Sequence, residues 1–293
     1  MKVTPNFLII GAQKAGTTTL DGWLGQHPAL FIPVRKELNY FALDGKCPRW
    51  TGPGDGVANR QSVWRVEEYE KFFEPAPPEA ILGESSVLYL YSESAAAAIR
   101  KNIPDAKILV TLRPPVARAY SAFCHLRRDG RELEVDFASA MNLEKERIAS
   151  GFESLWHYGS VGFYGRQLAR YFDLFNRNQI KILWMDELKQ RPEEIFREIC
   201  QFLEIDPEIS IDFKTVLNVS GKPQNQFVND FLNGPNLLKS VVKNVVPLNW
   251  GRRWKAAIQR RNLKRFPPLA NSVRREMESI YREDQTLLCQ LLR

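Results

Sequence analysis

Apolar residues along this chain follow two rhythms: short unbroken runs of strand length, and apolar positions three to four residues apart in the stretches between them. The first run, Phe7 to Ile10, leads into a loop holding Gly11 and Gly16. Leu20, Trp23 and Leu24 then recur at helical spacing, which predicts a helix over Thr17 to Gln26 stopped by His27-Pro28. Leu30 to Pro33 and Ile81 to Glu84 read as further short strands, the second leading through Ser85 and Ser86 to the Tyr89/Tyr91 pair and a helix over Ala95 to Lys101. Lys107 to Leu112 (KILVTL) is a buried-strand pattern, and Pro114-Pro115 after it suits the first turn of a helix carrying Arg118, Ser121 and His125. Residues 132–150 read as one amphipathic helix, 165–175 as another, 179–185 (QIKILWM) as a strand and 192–203 as a helix opened by proline.

Repeated strand-then-helix units predict an α/β fold, with a mostly parallel central sheet between helical layers joined by right-handed crossovers. The arrangement expected is a three-layer α/β/α domain of P-loop type with a helical C-terminal region. Past a polar turn at 218–223 no strand pattern recurs. The whole chain, 1–293, is expected to form one domain, with a core over about 6–225 and a helical, basic extension over about 226–293. Residues 44–62, rich in Gly and Pro, read as an exposed excursion able to act as a lid on the substrate side.

Composition changes this picture little. The 293 residues are 44% hydrophobic and 26% charged, enough for a substantial core. A formal charge of +7 suits an anionic ligand without demanding one. No apolar run approaches the roughly 18 residues that span a bilayer, and the first strand begins within a few residues of Met1; no signal peptide is expected, and a cytoplasmic location is. Four scattered cysteines without C-x-x-C spacing indicate neither a zinc site nor a disulfide framework. Oligomeric state is not legible.

The strand–loop–helix at 7–20 carries the chemistry. Glycines let backbone N–H groups turn onto an anion, and the helix start behind them adds free donors and the positive end of its dipole. Gly11 and Gly16 have the spacing of the nucleotide-triphosphate loop, yet Thr17 stands where that loop has its lysine, and Lys14 sits inside it. A phosphate-bearing ligand follows; triphosphate chemistry does not. Arg113 and Ser121, at or beyond a strand's carboxyl edge, are placed to hold a second anionic group, and Glu37, in a segment of the same kind, is a candidate site carboxylate.

Three stretches together resemble the sulfotransferases that use 3′-phosphoadenosine 5′-phosphosulfate (PAPS), in particular the branch of the heparan sulfate N- and O-sulfotransferases and their soluble bacterial relatives. GAQKAGTTTL is similar to the family's 5′-phosphosulfate loop. LRPPVARAYSAFCH is similar to its 3′-phosphate motif, with Arg113 and Ser121 eight residues apart. SVGFYGRQLARYFDLFNRNQIKILWMDELKQRPEEIFREICQFLEI is similar to its later helix–strand–helix.

The resemblance implies that Lys14 stabilises charge on the oxygen between sulfur and phosphorus, while Ala15, Gly16, Thr17, Thr18 and Thr19 cradle the 5′-phosphate. It implies that Arg113 and Ser121 hold the 3′-phosphate, with Lys222 on a loop closing over it, and that Glu37, in RKELNYF, is the general base. His125 matches a histidine near the acceptor. No metal is required, the product nucleotide is adenosine 3′,5′-bisphosphate (PAP), and the acceptor is a small molecule or glycan offering a hydroxyl ahead of an amine. Nucleic acid is not an expected partner. Where several members have Glu-Lys-[ST]-Pro, this chain has Glu84-Ser85-Ser86-Val87, so an acceptor-side lysine is missing.

Two other readings compete. A P-loop kinase would use Asp186, after ILWM, to hold Mg²⁺; a non-catalytic polyanion-binding module would rest on the basic residues between Arg252 and Arg265. Tyr164 and Arg166 are open between packing and a nucleotide contact, His27 is read as a helix stop, and His157 has no assigned role.

Overall fold

A computed structural model of the chain describes residues 4–213 and 266–293 and, between them, the backbone of a short strand pair at 222–223 and 263–264. In chain order the elements are β1 (Phe7–Gly11), α1 (Thr17–Leu24), β2 (Leu30–Phe31), α2 (Tyr40–Leu43), α3 (Gly56–Gln61), α4 (Val66–Lys71), β3 (Ile81–Ser85), α5 (Leu88–Tyr91) and α6 (Ala95–Asn102). Then come β4 (Lys107–Leu112), α7 (Pro115–Arg128), α8 (Phe137–Asn142), α9 (Glu144–Ala149), α10 (Tyr164–Phe172), β5 (Ile180–Trp184), α11 (Met185–Gln190) and α12 (Pro192–Leu203). The strand pair β6 (Lys222–Pro223) and β7 (Leu263–Lys264) and a long helix, α13 (Asn271–Leu291), complete them.

Five parallel strands form the central sheet in the order β2-β3-β1-β4-β5. The all-apolar runs read as strands are those buried on both faces, and alternation along them feeds two cores. Leu8 and Ile10 of β1 join Ile108, Val110 and Leu112 of β4 on one side, with Ile99, Tyr164, Leu168 and Leu288 packed over them. Phe7, Ile9 and Leu109 face the other side, against Leu20, Trp23 and Leu24 of α1 and Ile195, Phe196 and Ile199 of α12. This is the expected three-layer α/β/α arrangement. Because the chain leaves β1 toward β2 on one side and leaves the adjacent β4 toward β5 on the other, a crevice opens beyond the carboxyl end of β1, where open parallel sheets bind ligands.

The excursion at 44–62 is mostly exposed, as expected, and carries α3. Two local expectations are corrected. Residues 132–150 form two short helices rather than one, and neither includes Glu132, which accepts from Arg147 at 2.7 Å and from Tyr158 at 2.8 Å; the first opens at Phe137, where Asp136 caps the Ser139 amide at 2.9 Å. The last third does contain strand, since β6 pairs antiparallel with β7.

The long helix α13 packs on α10 and α7 through Met277, Tyr281 and Leu288. Helix α10 has no cap of its own; the buried Asp284 of α13 accepts its Gly165 and Arg166 amides at 2.8 and 2.9 Å. A carboxylate at a helix start satisfies orphan donors and opposes the dipole.

Candidate active site

A cleft of about 760 Å³ lies beyond the carboxyl ends of β1, β3 and β4. On one wall stand Lys14, Gly16, Thr17, Thr18 and Thr19 with Arg113 and Ser121; on the other stand Trp50, Gly54, Val57, Arg131 and Glu153, with Glu37 and His125 also lining it. Of the predicted residues whose side chains are described, only Ala15 is missing from the lining.

The loop after β1 earns its shape from two glycines. Gly11, at φ +147°, lies so close to α5 that a Cβ there would sit 2.9 Å from Leu90 Cβ, and Gly16, at φ +95°, turns the chain into α1. Among the described residues the amides of Gln13, Lys14, Gly16, Thr17 and Thr18 have no backbone partner, so several donors converge at the start of α1. Such a set of aligned N–H groups fits a phosphate. Ala15 does not share in it: its methyl is buried and its amide donates to Ala12 O at 3.2 Å.

Lys14 holds a left-handed backbone (φ +66°), a conformation that costs a non-glycine residue roughly 1–3 kcal/mol and gathers at functional sites. Its carbonyl is 3.4 Å from Arg113 Nη1, which links the two segments expected to bind anions. Its Nζ reaches across to His125 Nδ1 at 3.2 Å. Burial, and then the Arg128 charge, push the Lys14 ammonium down to about 8. The same ring nitrogen of His125 receives Arg128 Nη2 at 2.8 Å, while Nε2 stands 3.4 Å from Asp129 Oδ2. Burial and these two cations hold His125 far below the ordinary imidazole range.

Glu37 is the second non-glycine residue of the cleft with a left-handed backbone, at φ +59°. Its amide donates to Ser85 O, at the last residue of β3, at 2.9 Å, and its Oε2 accepts the Val87 amide at 2.9 Å. Burial raises its pKa, opposed by Lys36 and by the Val87 N–H. Behind it, the buried Glu84 accepts from Tyr89 at 2.7 Å, Tyr69 at 3.0 Å and Ser86, and burial pushes it up to about 7. Ser86 Oγ in turn accepts the Asn39 amide at 2.9 Å, so β3's end grips the segment that carries Glu37. Ser85, where the acceptor-side lysine is missing, is buried, with the Asp21 carboxylate beside it.

The opposite wall was not legible as a unit in the sequence. Asp55 is fully buried and gathers the Gly52 and Glu153 amides, each at 2.8 Å, Trp156 Nε1 at 3.0 Å and the Arg131 guanidinium. Arg131 also donates to Glu153 at 2.7 Å and to Pro53 O at 2.6 Å. Burial pushes Glu153 up to about 7. The only local signal for this wall is the Gly-Pro-Gly-Asp-Gly turn at 52–56.

Other singled-out residues have structural places. His27 bridges Asp206 O at 2.9 Å and the Ala29 amide at 3.1 Å; His157 bridges Tyr91 at 3.0 Å and Phe152 O at 3.1 Å. Tyr164 is buried in the core and Arg166 lies over the Phe163 ring, neither lining the cleft. Asp186 is exposed and engaged by Lys189 at 2.9 Å, not aimed at a metal. Lys222 belongs to β6, but its side chain, the loop leading to it and the basic residues 252–265 lie outside the described residues. Among the described residues no group of three or more His, Cys, Asp or Glu is placed to hold a metal, and no helix is long and apolar enough to cross a membrane.

Comparison with known proteins matches this geometry to a family. The sequence model of the Sulfotransferase family matches residues 5–208. A crystal structure of a sulfotransferase from Alicyclobacillus acidocaldarius superposes with a TM-score of 0.70 at 35% identity, over 86% of this chain and all of that one. A bifunctional heparan sulfate N-deacetylase/N-sulfotransferase 1 of Caenorhabditis elegans is 24% identical over 297 residues, and a human bifunctional heparan sulfate N-deacetylase/N-sulfotransferase 3 is 30% identical over 215. The chain spans 30% and 22% of the lengths of those two relatives.

Proposed function

The chain belongs to the sulfotransferase family, and from that premise we propose that it moves a sulfuryl group from PAPS to an acceptor hydroxyl, with an amine as the lesser alternative. The observation that carries this reading is the meeting of Lys14, Arg113, Ser121 and Glu37 in one cleft at the end of β1, although they lie far apart in sequence. The donor brings a sulfuryl group on a phosphate leaving group. The unpartnered amides of the 13–18 turn and the hydroxyls of Thr17 and Thr18 hold its 5′-phosphate, and Arg113 with Ser121 the 3′-phosphate. Glu37 takes the acceptor proton as the new S–O bond forms, and Lys14 neutralises charge on the oxygen released as the old S–O bond breaks. The raised pKa of Glu37 makes it a stronger base than an ordinary glutamate.

Transfer of this kind depends mainly on alignment and charge neutralisation, both of which this chain's own groups supply without a proposed metal. The acceptor class to test first is a glycan, because curated relatives are named for heparan sulfate. Calorimetry with PAP against ATP plus Mg²⁺ tests the donor: tight metal-free binding of the bisphosphate is expected, and preference for ATP sinks the reading. A panel of glycan and small-molecule acceptors with labelled PAPS then identifies the acceptor.

A further inference from the structure

The ring of His125 is surrounded in a way that its place beside an acceptor does not require. Its Nδ1 faces two donors at once, Lys14 Nζ at 3.2 Å and Arg128 Nη2 at 2.8 Å. Ammonium and guanidinium groups have only N–H to offer, so this nitrogen must be the acceptor and the ring's proton must sit on Nε2. On that side the Oδ2 of Asp129, the residue that caps the C-terminal end of α7, is 3.4 Å away, an ion-pair distance. Asp129 Oδ1 is held by Arg128 Nε at 2.8 Å, which closes the cluster. A ring whose two nitrogens are each committed in this way has a fixed tautomer and orientation.

We propose that His125 is a positioning residue for Lys14: its Nδ1, fixed as an acceptor by the orientation that Asp129 imposes, holds the lysine ammonium at the point where the leaving oxygen of the donor develops charge. Lys14 needs such a guide, because a four-carbon stem otherwise lets the ammonium wander, and the lysine's left-handed backbone fixes only its root. The groups facing the ring agree with the assignment. Lys14, Arg128 and Arg131 are cationic and Asp129 is anionic, so a further positive charge on the imidazole is disfavoured, and burial acts in the same sense. A ring kept neutral with its proton on Nε2 lacks a free basic nitrogen facing the acceptor, which leaves proton removal to Glu37. The inference rests on the sulfotransferase reading for the role of Lys14, but not for the geometry.

Two measurements test it. The chain has only three histidines, so ¹⁵N-labelled imidazole spectra of the full, unliganded protein can be assigned with a His125→Asn reference. The expected result is a neutral His125 with Nδ1 unprotonated and Nε2 protonated across about pH 5 to 9, and a return of titration toward the ordinary range in Lys14→Met. An imidazole that titrates near its ordinary value in the wild type, or is indifferent to Lys14→Met, overturns the proposal. This readout needs neither donor nor acceptor, so it survives failure of the functional reading and can fail by itself.

The second measurement is kinetic, once an acceptor is in hand. His125→Leu should lower kcat roughly 10²-fold with little change in acceptor KM, because a misplaced catalytic group costs about that much. His125→Asn, whose Oδ1 can accept where Nδ1 did, should restore most of the loss. Equal impairment in both variants, or a loss confined to acceptor KM, removes His125 from this role.

Discussion

The two walls of the cleft are built by opposite means. The donor wall is local: one strand, one loop and one helix start, residues 7–20, supply most of it, with backbone amides as the principal donors. The opposite wall, which the proposed function leaves for the acceptor, is assembled at long range, with Asp55 gathering Arg131, Glu153 and Trp156 from 76, 98 and 101 residues away. The difference separates what every substrate pair must share from what distinguishes one acceptor from another. A loop of amides recognises phosphate whatever side chains surround it, whereas the far wall's charge and shape depend on particular residues meeting.

The sharpest break of that contrast is at the residues that touch chemistry. Glu37→Gln removes the proposed base while keeping a group able to accept the Val87 amide; kcat should fall about 10²- to 10⁴-fold with the thermal midpoint unchanged. Near-wild-type turnover would clear Glu37 of the role. Next, Lys14→Ala on the donor wall should cost roughly 10²- to 10³-fold in kcat, as loss of one charge-stabilising donor does, again without unfolding the protein.

Asp55→Asn asks whether the acceptor wall is held as described. Asp55 is a buried anion with several donors, and breaking such a set costs about 3 kcal/mol. A lowered thermal midpoint is expected, with PAP affinity preserved because the donor wall stands apart. Equal loss of PAP affinity at temperatures where the variant is folded would show that the two walls are one unit.

The pH profile of kcat/KM sharpens the same division. As the proposed base, Glu37 would work deprotonated, and its pKa is raised, so the acid limb should begin above the ordinary glutamate range and disappear in Glu37→Gln. Lys14 works protonated, so activity should decline as pH rises through about 8, and Lys14→Arg should move that limb upward because guanidinium stays charged. The smallest effect is expected far from the cleft: Asp284→Ala removes the cap that α13 lends to α10 and should cost about 1 kcal/mol of stability, read by denaturant titration, with kcat unaltered.

How much of this was legible follows from where each interaction is encoded. The strands at Phe7 and Lys107 could be read because burial on both faces demands unbroken apolar runs, and the phosphate loop because glycine spacing and a helix start are local features. Glu37 and Arg113 were found through motifs adjoining strand ends. Asp55, Arg131 and Glu153 carry no periodic or motif signal, since each looks like an ordinary surface charge until its partner is present. The start of helix at Phe137 rather than at 132 has the same origin: Glu132 is engaged by Arg147, a contact that outweighs helical patterning.

Sequence alone therefore determined the layered α/β fold, the glycine turn after β1 and its departure from a triphosphate loop, because each depends on neighbours within a few residues. Only the tertiary structure decided that Lys14 meets His125, that Asp129 and Arg128 close around that ring, and that a helix from the end of the chain caps α10. Hydrogen bonds and charge pairs act over a few ångströms, and which groups come that close is set by how the layers pack, not by their order along the chain.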